Sequence, residues 1–407
     1  MLAASDFPLE HAERLFAPLG ISPAYFAPTQ TGLEKSITDA TDGVRELLKR
    51  EGIHDFDSQK KGQKSKVVVD IQVFHKPTHT RTKISFYRPE TKNGDPRMWI
   101  SRLGSMVSVG NLIALLVVHG ELIALVISNQ NVRDALMDEN SELRQMLAAS
   151  APANVASAVS DTLVAELRKI SAHGWHDAVR TGDTAVGMTL ESCLGIAPNS
   201  SGAPDYHGFE LKAKVLKTGV AKPEDAKTRQ TLFACVPDWD ISRLKGSKHI
   251  LAQYGYPDKK GRARRKLYCE VTSRKENSQG LKFEIDHTSG QLVEVHVNSL
   301  INNDVVRWRR ASLEDKLNRK HAQTAWVYAR ERDVQGTRQF RYFQTTITAA
   351  PRSASFLNLI ETGIISMDHL IKEDLKGQVS EKGPLFKINA KDFALLFPFR
   401  RSEILTA

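Results

Sequence analysis

At 407 residues and 41% hydrophobic content, the chain is long enough for two domains with real cores and too apolar for a disordered polymer. No run of about 18 apolar residues occurs, which excludes a transmembrane helix; Cys193, Cys235 and Cys269 are widely spaced and match no zinc or redox pattern. The net charge of +10 is uneven: residues 1–160 hold 18 basic and 18 acidic side chains, the remainder 39 and 29, so the second part alone carries the positive excess that suits a polyanion.

The segment Met1–Asp6 lacks the basic stretch and apolar core of a signal peptide. With three cysteines that fit reduced thiols, this leads us to expect a cytoplasmic protein. Apolar residues at three- and four-residue spacing predict helices over Phe7–Phe16 and Asp39–Arg50, the second stopped by Gly52. Gln59–Lys64 is a polar loop. The period then changes to that of strands at Val67–Phe74, Thr82–Tyr87, Leu112–Val118 and Leu122–Ile127, with His119-Gly120-Glu121 as a hairpin turn. Between the second and third runs, Tyr87–Trp99 holds the turn signals Asn93-Gly94 and Asp95-Pro96. There Arg88, Lys92 and Arg97, with Tyr87 and Trp99, present cations and rings to nucleic acid, or else belong to an ordered loop held by internal salt bridges. The first domain, 1–147, is therefore a small mixed unit rich in β-structure.

Ala148–Ala158 is uncharged and of low complexity, and marks 148–159 as a linker before a second domain, 160–407. Ser160–Ile170 reads as a helix with Leu163, Val164, Leu167 and Ile170 on one face. Three glycines then precede a helix carrying Glu191. Ala203–Lys214 follows. From Phe209 the residues alternate, so Glu210 and Lys212 share one face of a strand, ~7 Å apart, while Phe209, Leu211 and Ala213 take the other. A bend at Gly208 brings Asp205 back beside Glu210. Two carboxylates at one point repel unless a cation joins them, and hard oxygen ligands suit Mg²⁺. A lysine at such a metal can act on a water and offset phosphate charge. Taken alone, the stretch also reads as an amphipathic edge strand with a solvated Glu and Lys.

The wider pattern decides between these. Gly174-Trp175-His176, Arg180-x-Gly-x-Thr184, Gly187-x-Thr189-x-Glu191, Ala203-Pro204-Asp205-x-His207 and Glu210-x-Lys212 resemble the MvaI/BcnI type of restriction endonuclease, small PD-(D/E)XK nucleases related to the nicking enzyme MutH. The likeness runs from about Asp161 to about Phe397. It implies an α/β (α+β) fold with a mixed central sheet flanked by helices. It implies that Asp205 and Glu210 bind Mg²⁺, that Lys212 acts on the attacking water, and that Glu191 reaches the metal through water; a helix-surface glutamate is the other reading of Glu191. His207 matches a motif histidine that stacks, contacts phosphate, or makes a structural hydrogen bond. The family cleaves double-stranded DNA at short G·C-rich sites as a monomer, one strand at a time, which implies a partner DNA methyltransferase for the same site.

Guanine is read by Arg or Lys against O6 and N7. Where the family carries a base-reading arginine segment, this chain has Ser366–Lys372, with His369 at an arginine position, Lys372 beside it, and Lys387 at another basic one. Lys259–Lys266, holding Arg262, Arg264 and Arg265, is a basic loop able to neutralise phosphates without reading bases. Trp308-Arg309-Arg310 and Arg319-Lys320-His321 read as ordinary helix-end charges around a helix at Ser312–Asn318. The expected function is a type II, Mg²⁺-dependent site-specific DNA endonuclease with an accessory DNA-binding or effector domain in front. The rivals are a modification-dependent or nicking endonuclease and a DNA-binding regulator on an inactive nuclease fold.

Overall fold

The computed structural model describes residues 5–76, 78–150, 158–196, 205–297, 303–398 and 400–406. The chain divides into two compact units, Met1–Pro152 with Glu284–Val293 and Ala153–Phe283 with Glu294–Ala407.

The first unit is built on a seven-stranded sheet of β1 (Ala24–Phe26), β2 (Thr38–Asp39), β3 (Val67–Phe74), β4 (His79–Tyr87), β5 (Arg97–Ile100), β6 (Ile113–Val118) and β7 (Glu121–Val126). The order is β1-β6-β7-β3-β4-β5-β2; β3 and β7 run parallel and the other pairs antiparallel. Its α-helices among the described residues are α1 (Leu9–Phe16), α2 (Gln30–Lys35), α3 (Asp42–Arg50), α4 (Gln130–Met137) and α5 (Glu142–Ala149). Alternation sends Ile71, Val73, Ile84 and Phe86 to one face, where they meet Val44, Leu47 and Leu48 of α3. Phe74, Ile123 and Leu125 go to the other, against α1, α4 and α5. The two expected helices are thus α1 and α3, although Thr38 and Asp39 are taken into an edge strand. The stretch read as a loop before Trp99 delivers β5, because Met98 and Ile100 are wanted in the core. Helices α4 and α5 escaped the periodicity reading; their signals were the caps Asn129 and Ser141, whose side chains accept the backbone N–H groups of Asn131 and Arg144.

Of the stretch read as a linker, 151–157 lies outside the described residues. Ala148 and Ala149 close α5, and Ala158 opens α6 (Ala158–Ala172), as the high helix propensity of alanine favours.

The second unit continues with α7 (Ala185–Cys193), α8 (Ser247–Tyr254), α9 (Arg310–Lys320), α10 (Phe356–Glu361) and α11 (Phe393–Leu396). Its first strands are β8 (His176–Asp177), β9 (Glu210–Val215), β10 (Gln230–Ala234), β11 (Tyr256–Pro257) and β12 (Arg265–Val271). Then come β13 (Leu281–Asp286) and β14 (Gln291–His296), whose stretch Glu284–Val293 is counted with the first unit, and β15 (Asp304–Arg309), β16 (Thr324–Val334) and β17 (Thr337–Thr348). The last are β18 (Ile365–Glu373), β19 (Val379–Glu381), β20 (Leu385–Ile388) and β21 (Arg400–Ile404). One sheet has the order β21-β17-β16-β9, with β8 also on β17; it is mixed, since β9 and β16 run parallel. Leu163, Val164 and Leu167 of α6 and Val186 and Leu190 of α7 cover Phe209, Leu211, Ala325 and Val327 on one face of it. A second sheet, β10-β20-β18-β12-β11 with β19 on β18, is antiparallel throughout, and β13, β14 and β15 make a third. The mixed α/β class and the flanked mixed sheet are those the sequence pointed to. Among the described residues no helix is long and apolar enough to cross a membrane.

Candidate active site

The site is set up by a two-residue hairpin turn. His207 and Gly208 both take positive φ, 44° and 92°, and Tyr206 and Phe209 exchange backbone hydrogen bonds of 2.9 and 2.7 Å. Such a turn calls for glycine at its second position. It folds Asp205 back onto β9, where Oδ2 accepts the Leu211 N–H at 2.9 Å. Along β9, Leu211 is buried against α6 and α7 while Glu210 and Lys212 face the opposite way, as alternation requires.

Glu210 is 2% exposed. Its Oε1 accepts from Lys212 Nζ at 2.5 Å and its Oε2 from Lys320 Nζ at 3.3 Å. Lys320 is the last residue of α9 and had been read as an ordinary helix-end charge. The signal that separates it from neighbouring Arg319 is position: α9 ends three residues before β16, the strand paired with β9, so its last turn overhangs Glu210. Behind the pair, His321 is fully buried, hydrogen-bonded to Thr324 Oγ1 and the Leu232 carbonyl and stacked on Trp326; burial holds its imidazole down to about 4.

The electrostatics of the three acids follow from this crowding. Burial pushes the Asp205 carboxyl up; the Leu211 N–H opposes this, Glu210 adds to it, and Lys212 and Lys320 act against it. Burial likewise raises Glu191 on α7, helped by Asp205 and Glu210 and opposed by Lys212. Each acid therefore feels the others, and the cluster holds more negative charge than its lysines relieve. A hard cation fits this donor set. Among the described residues no three acid, His or Cys side chains are already gathered to hold an ion. A cation here would rest on one or two carboxylates and complete its shell with water and substrate oxygens, as Mg²⁺ does.

A family model for the MvaI/BcnI restriction endonuclease family matches residues 164–397. The chain belongs to the MvaI/BcnI restriction endonuclease family. Among solved structures, a restriction endonuclease MvaI–cognate DNA substrate complex aligns over 61% of this chain and 99% of that one, with a TM-score of 0.51 and 24% identity, which is a likeness of fold. MvaI in the absence of DNA aligns over 62% of this chain and 100% of that one, at 23% identity and a TM-score of 0.36. No curated protein matches. The family segment contains Asp205, Glu210, Lys212, Glu191 and Lys320, and the matched MvaI fold leaves more than a third of this chain unaccounted for.

The structure separates the other candidate residues. His207 sits exposed at the tip of the turn, not on the strand. In the basic loop, Asp258 accepts the N–H groups of Lys260 and Arg262 and the Lys266 ammonium, which holds its carboxyl down to about 2. That leaves Arg262 and Arg264 exposed, whereas Arg265 is half-buried and donates to the Gly255 carbonyl. Lys372 is exposed on β18. Lys387 donates to Asp368 at 2.7 Å. His369, expected at a base-reading position, is fully buried: on β18 the odd residues Ile365, Met367, His369 and Ile371 face the core. There Nε2 meets Glu294 at 2.9 and 3.0 Å. Burial lowers the His369 imidazole, but the Glu294 carboxylate outweighs this, so it stays above its ordinary value. In the first unit, Arg88 is turned inward and donates to the carbonyls of Gly94, Phe56 and Gln59. Arg97 is half-buried near Asp39. Arg88 is thus engaged by backbone carbonyls and Arg97 lies beside Asp39; the side chain of Lys92 lies outside what the structure describes.

Proposed function

We propose that the protein is a type II restriction endonuclease that hydrolyses phosphodiester bonds of double-stranded DNA with Mg²⁺. The observation that supports this most is the convergence of Asp205, Glu210 and Lys212 within a segment matching a restriction-endonuclease family. In this reading Asp205 and Glu210 hold the metal, with Glu191 reaching it through water. When bound, Mg²⁺ supplies positive charge to the attacked phosphate and makes a bound water easier to deprotonate. Lys212 would orient the attacking water and offset the charge growing on the phosphate, and Lys320 would add a second cation on the far side of Glu210. The buried wall of His321 and Trp326 keeps these groups in register and limits the water around them.

Exposed Arg262, Arg264 and Lys372 serve backbone contacts. Lys387, held by Asp368, faces the DNA beside them, and the target is a short G·C-rich site. The enzyme acts as a monomer in the cytoplasm beside a methyltransferase for the same site. Residues 1–147 form the accessory DNA-binding or effector part.

The test is plasmid cleavage by Asp205→Ala, Glu210→Ala and Lys212→Ala beside a DNA gel shift. All three should stop cutting, because they act on one water and their effects do not add. Without metal, the two carboxylate variants should bind DNA as well as the parent or better, since negative charge has been removed from beside a phosphate. Mg²⁺ or Mn²⁺ should support cutting, Ca²⁺ should support binding with little cleavage, and EDTA should stop cutting. Full cleavage in EDTA would overturn the metal mechanism.

A further inference from the structure

Alternation along β9 puts Lys214 on the same side as Glu210 and Lys212, ~7 Å beyond Lys212 along the strand. It makes no ion pair with the acids of the site. Its Nζ donates to the backbone carbonyls of Thr228 and Arg229 at 3.2 and 2.6 Å. The charges that face it are mostly of its own sign. Lys387 on β20 and Arg229 ahead of β10 both act on it. The acids nearby are already engaged: Asp368 on β18 takes Arg229 at 2.7 Å and Lys387 at 2.7 Å, while Glu270 on β12 takes Arg229 at 3.0 Å and the Ser366 hydroxyl. On β16 its register partner Tyr328 is a buried phenol, which has Glu224 in its own surroundings. Three cations thus stand around two carboxylates, with Lys214 the one left to carbonyls.

We propose that Lys214, flanked by Arg229 and Lys387, seats a backbone phosphate of the bound DNA, one step along the strand from the metal-binding carboxylates. The seat rests on the nuclease reading for its ligand, and on the charge arrangement for its place. A phosphate supplies the anion that the cluster lacks, and its oxygens accept the N–H that the two carbonyls leave over. The purely structural alternative is a lysine that only ties residues 228 and 229 to β9.

The two differ in how binding responds to pH and salt. Burial and the two neighbouring cations push the free Lys214 ammonium down to about 8. A bound phosphate stabilises the charged form, so DNA binding takes up a proton near that pH and affinity falls as pH rises through it. The experiment is anisotropy of a labelled duplex in Ca²⁺, from pH 7 to 9 and from 50 to 200 mM salt, with the parent, Lys214→Gln and Lys214→Arg. The parent should weaken above pH 8 and Lys214→Arg should not, because arginine keeps its charge. Lys214→Gln should lose about 0.9 from the salt slope, so that fourfold more salt costs it about 3.5-fold less affinity than it costs the parent. An unchanged slope in Lys214→Gln, or parallel pH profiles for parent and Lys214→Arg, overturns the seat. If Lys214→Gln fails to fold, the pH comparison with Lys214→Arg decides alone. The expected pattern in a protein that never cuts DNA would sink the nuclease reading and leave the seat; cutting with an unchanged slope and profile would do the reverse.

Discussion

Strands β9 and β18 each bring an acid and a base together, and their sequences suggested DNA-facing roles for both. On β9, Glu210 meets Lys212 and Lys320, whose side chains keep 30% and 27% of their exposure, with Asp205 and Glu191 crowding the same point. On β18, His369 meets Glu294 with neither exposed at all. The first cluster has surplus negative charge and access to solvent. The second is closed, one base to one acid. An open cluster with unbalanced charge is arranged for a ligand; a closed pair is part of the core, expensive to break and unable to touch DNA.

That comparison breaks most readily in stability. Glu294→Ala leaves His369 buried without its partner and should cost about 3–5 kcal/mol. Asp205→Ala removes one of three mutually repelling acids and should cost less than about 1 kcal/mol. Equal costs in urea unfolding would remove the distinction.

The next effect is a linked response to pH and cation. Asp205 and Glu191 have raised carboxyls, so the folded chain holds protons there that the unfolded chain releases. Their contribution becomes more unfavourable as pH rises above the ordinary carboxylate range. A divalent cation bound by the ionised acids would reverse it. Added Ca²⁺ should therefore raise the melting temperature more at pH 8 than at pH 5. The His369 pair has the opposite dependence on pH and no use for a cation. Its imidazole is raised, so its stabilisation is complete below about 6.5 and is lost as pH climbs through the folded value. An equal Ca²⁺ effect at both pH values would place the cation elsewhere.

Smaller changes sharpen the picture around β9. Lys320→Ala should slow plasmid cleavage by about tenfold to a hundredfold, as loss of one supporting cation does, while sparing the fold. A rate equal to the parent's would make Lys320 a helix-end charge after all. Smallest of all, replacing Arg262 and Arg264 together with Ala should lower the salt slope of DNA binding by just under two units, roughly 0.9 for each phosphate contact. Arg265→Ala, which loses a bond to the Gly255 carbonyl, should act on stability and leave the slope alone.

Local pattern carried much of this. Period-two alternation from Phe209 correctly separated the core side chains of β9 from Glu210 and Lys212, and Gly208 marked the turn that returns Asp205. Both features depend on neighbours in the chain, and so can be read from it. Burial of His369 cannot: Cys269 across the sheet and Glu294 on β14 come from 100 and 75 residues earlier, and only packing of the second and third sheets reveals which face of β18 is inward. Lys320 was missed for the same reason, since its contact with Glu210 spans 110 residues. The surroundings of Arg88 were hidden in the same way: beside turn signals a basic residue looks solvated, whereas the carbonyls of Gly94 in its own loop and of Phe56 and Gln59 from before β3 take its donors.

The most direct test of the account is a plasmid-cleavage time course of Glu210→Ala against the parent in Mg²⁺, with thermal unfolding of both proteins alongside. The account predicts a melting temperature close to the parent's and cleavage reduced by at least about 10³-fold. Cleavage near the parental rate by a folded Glu210→Ala protein would contradict it.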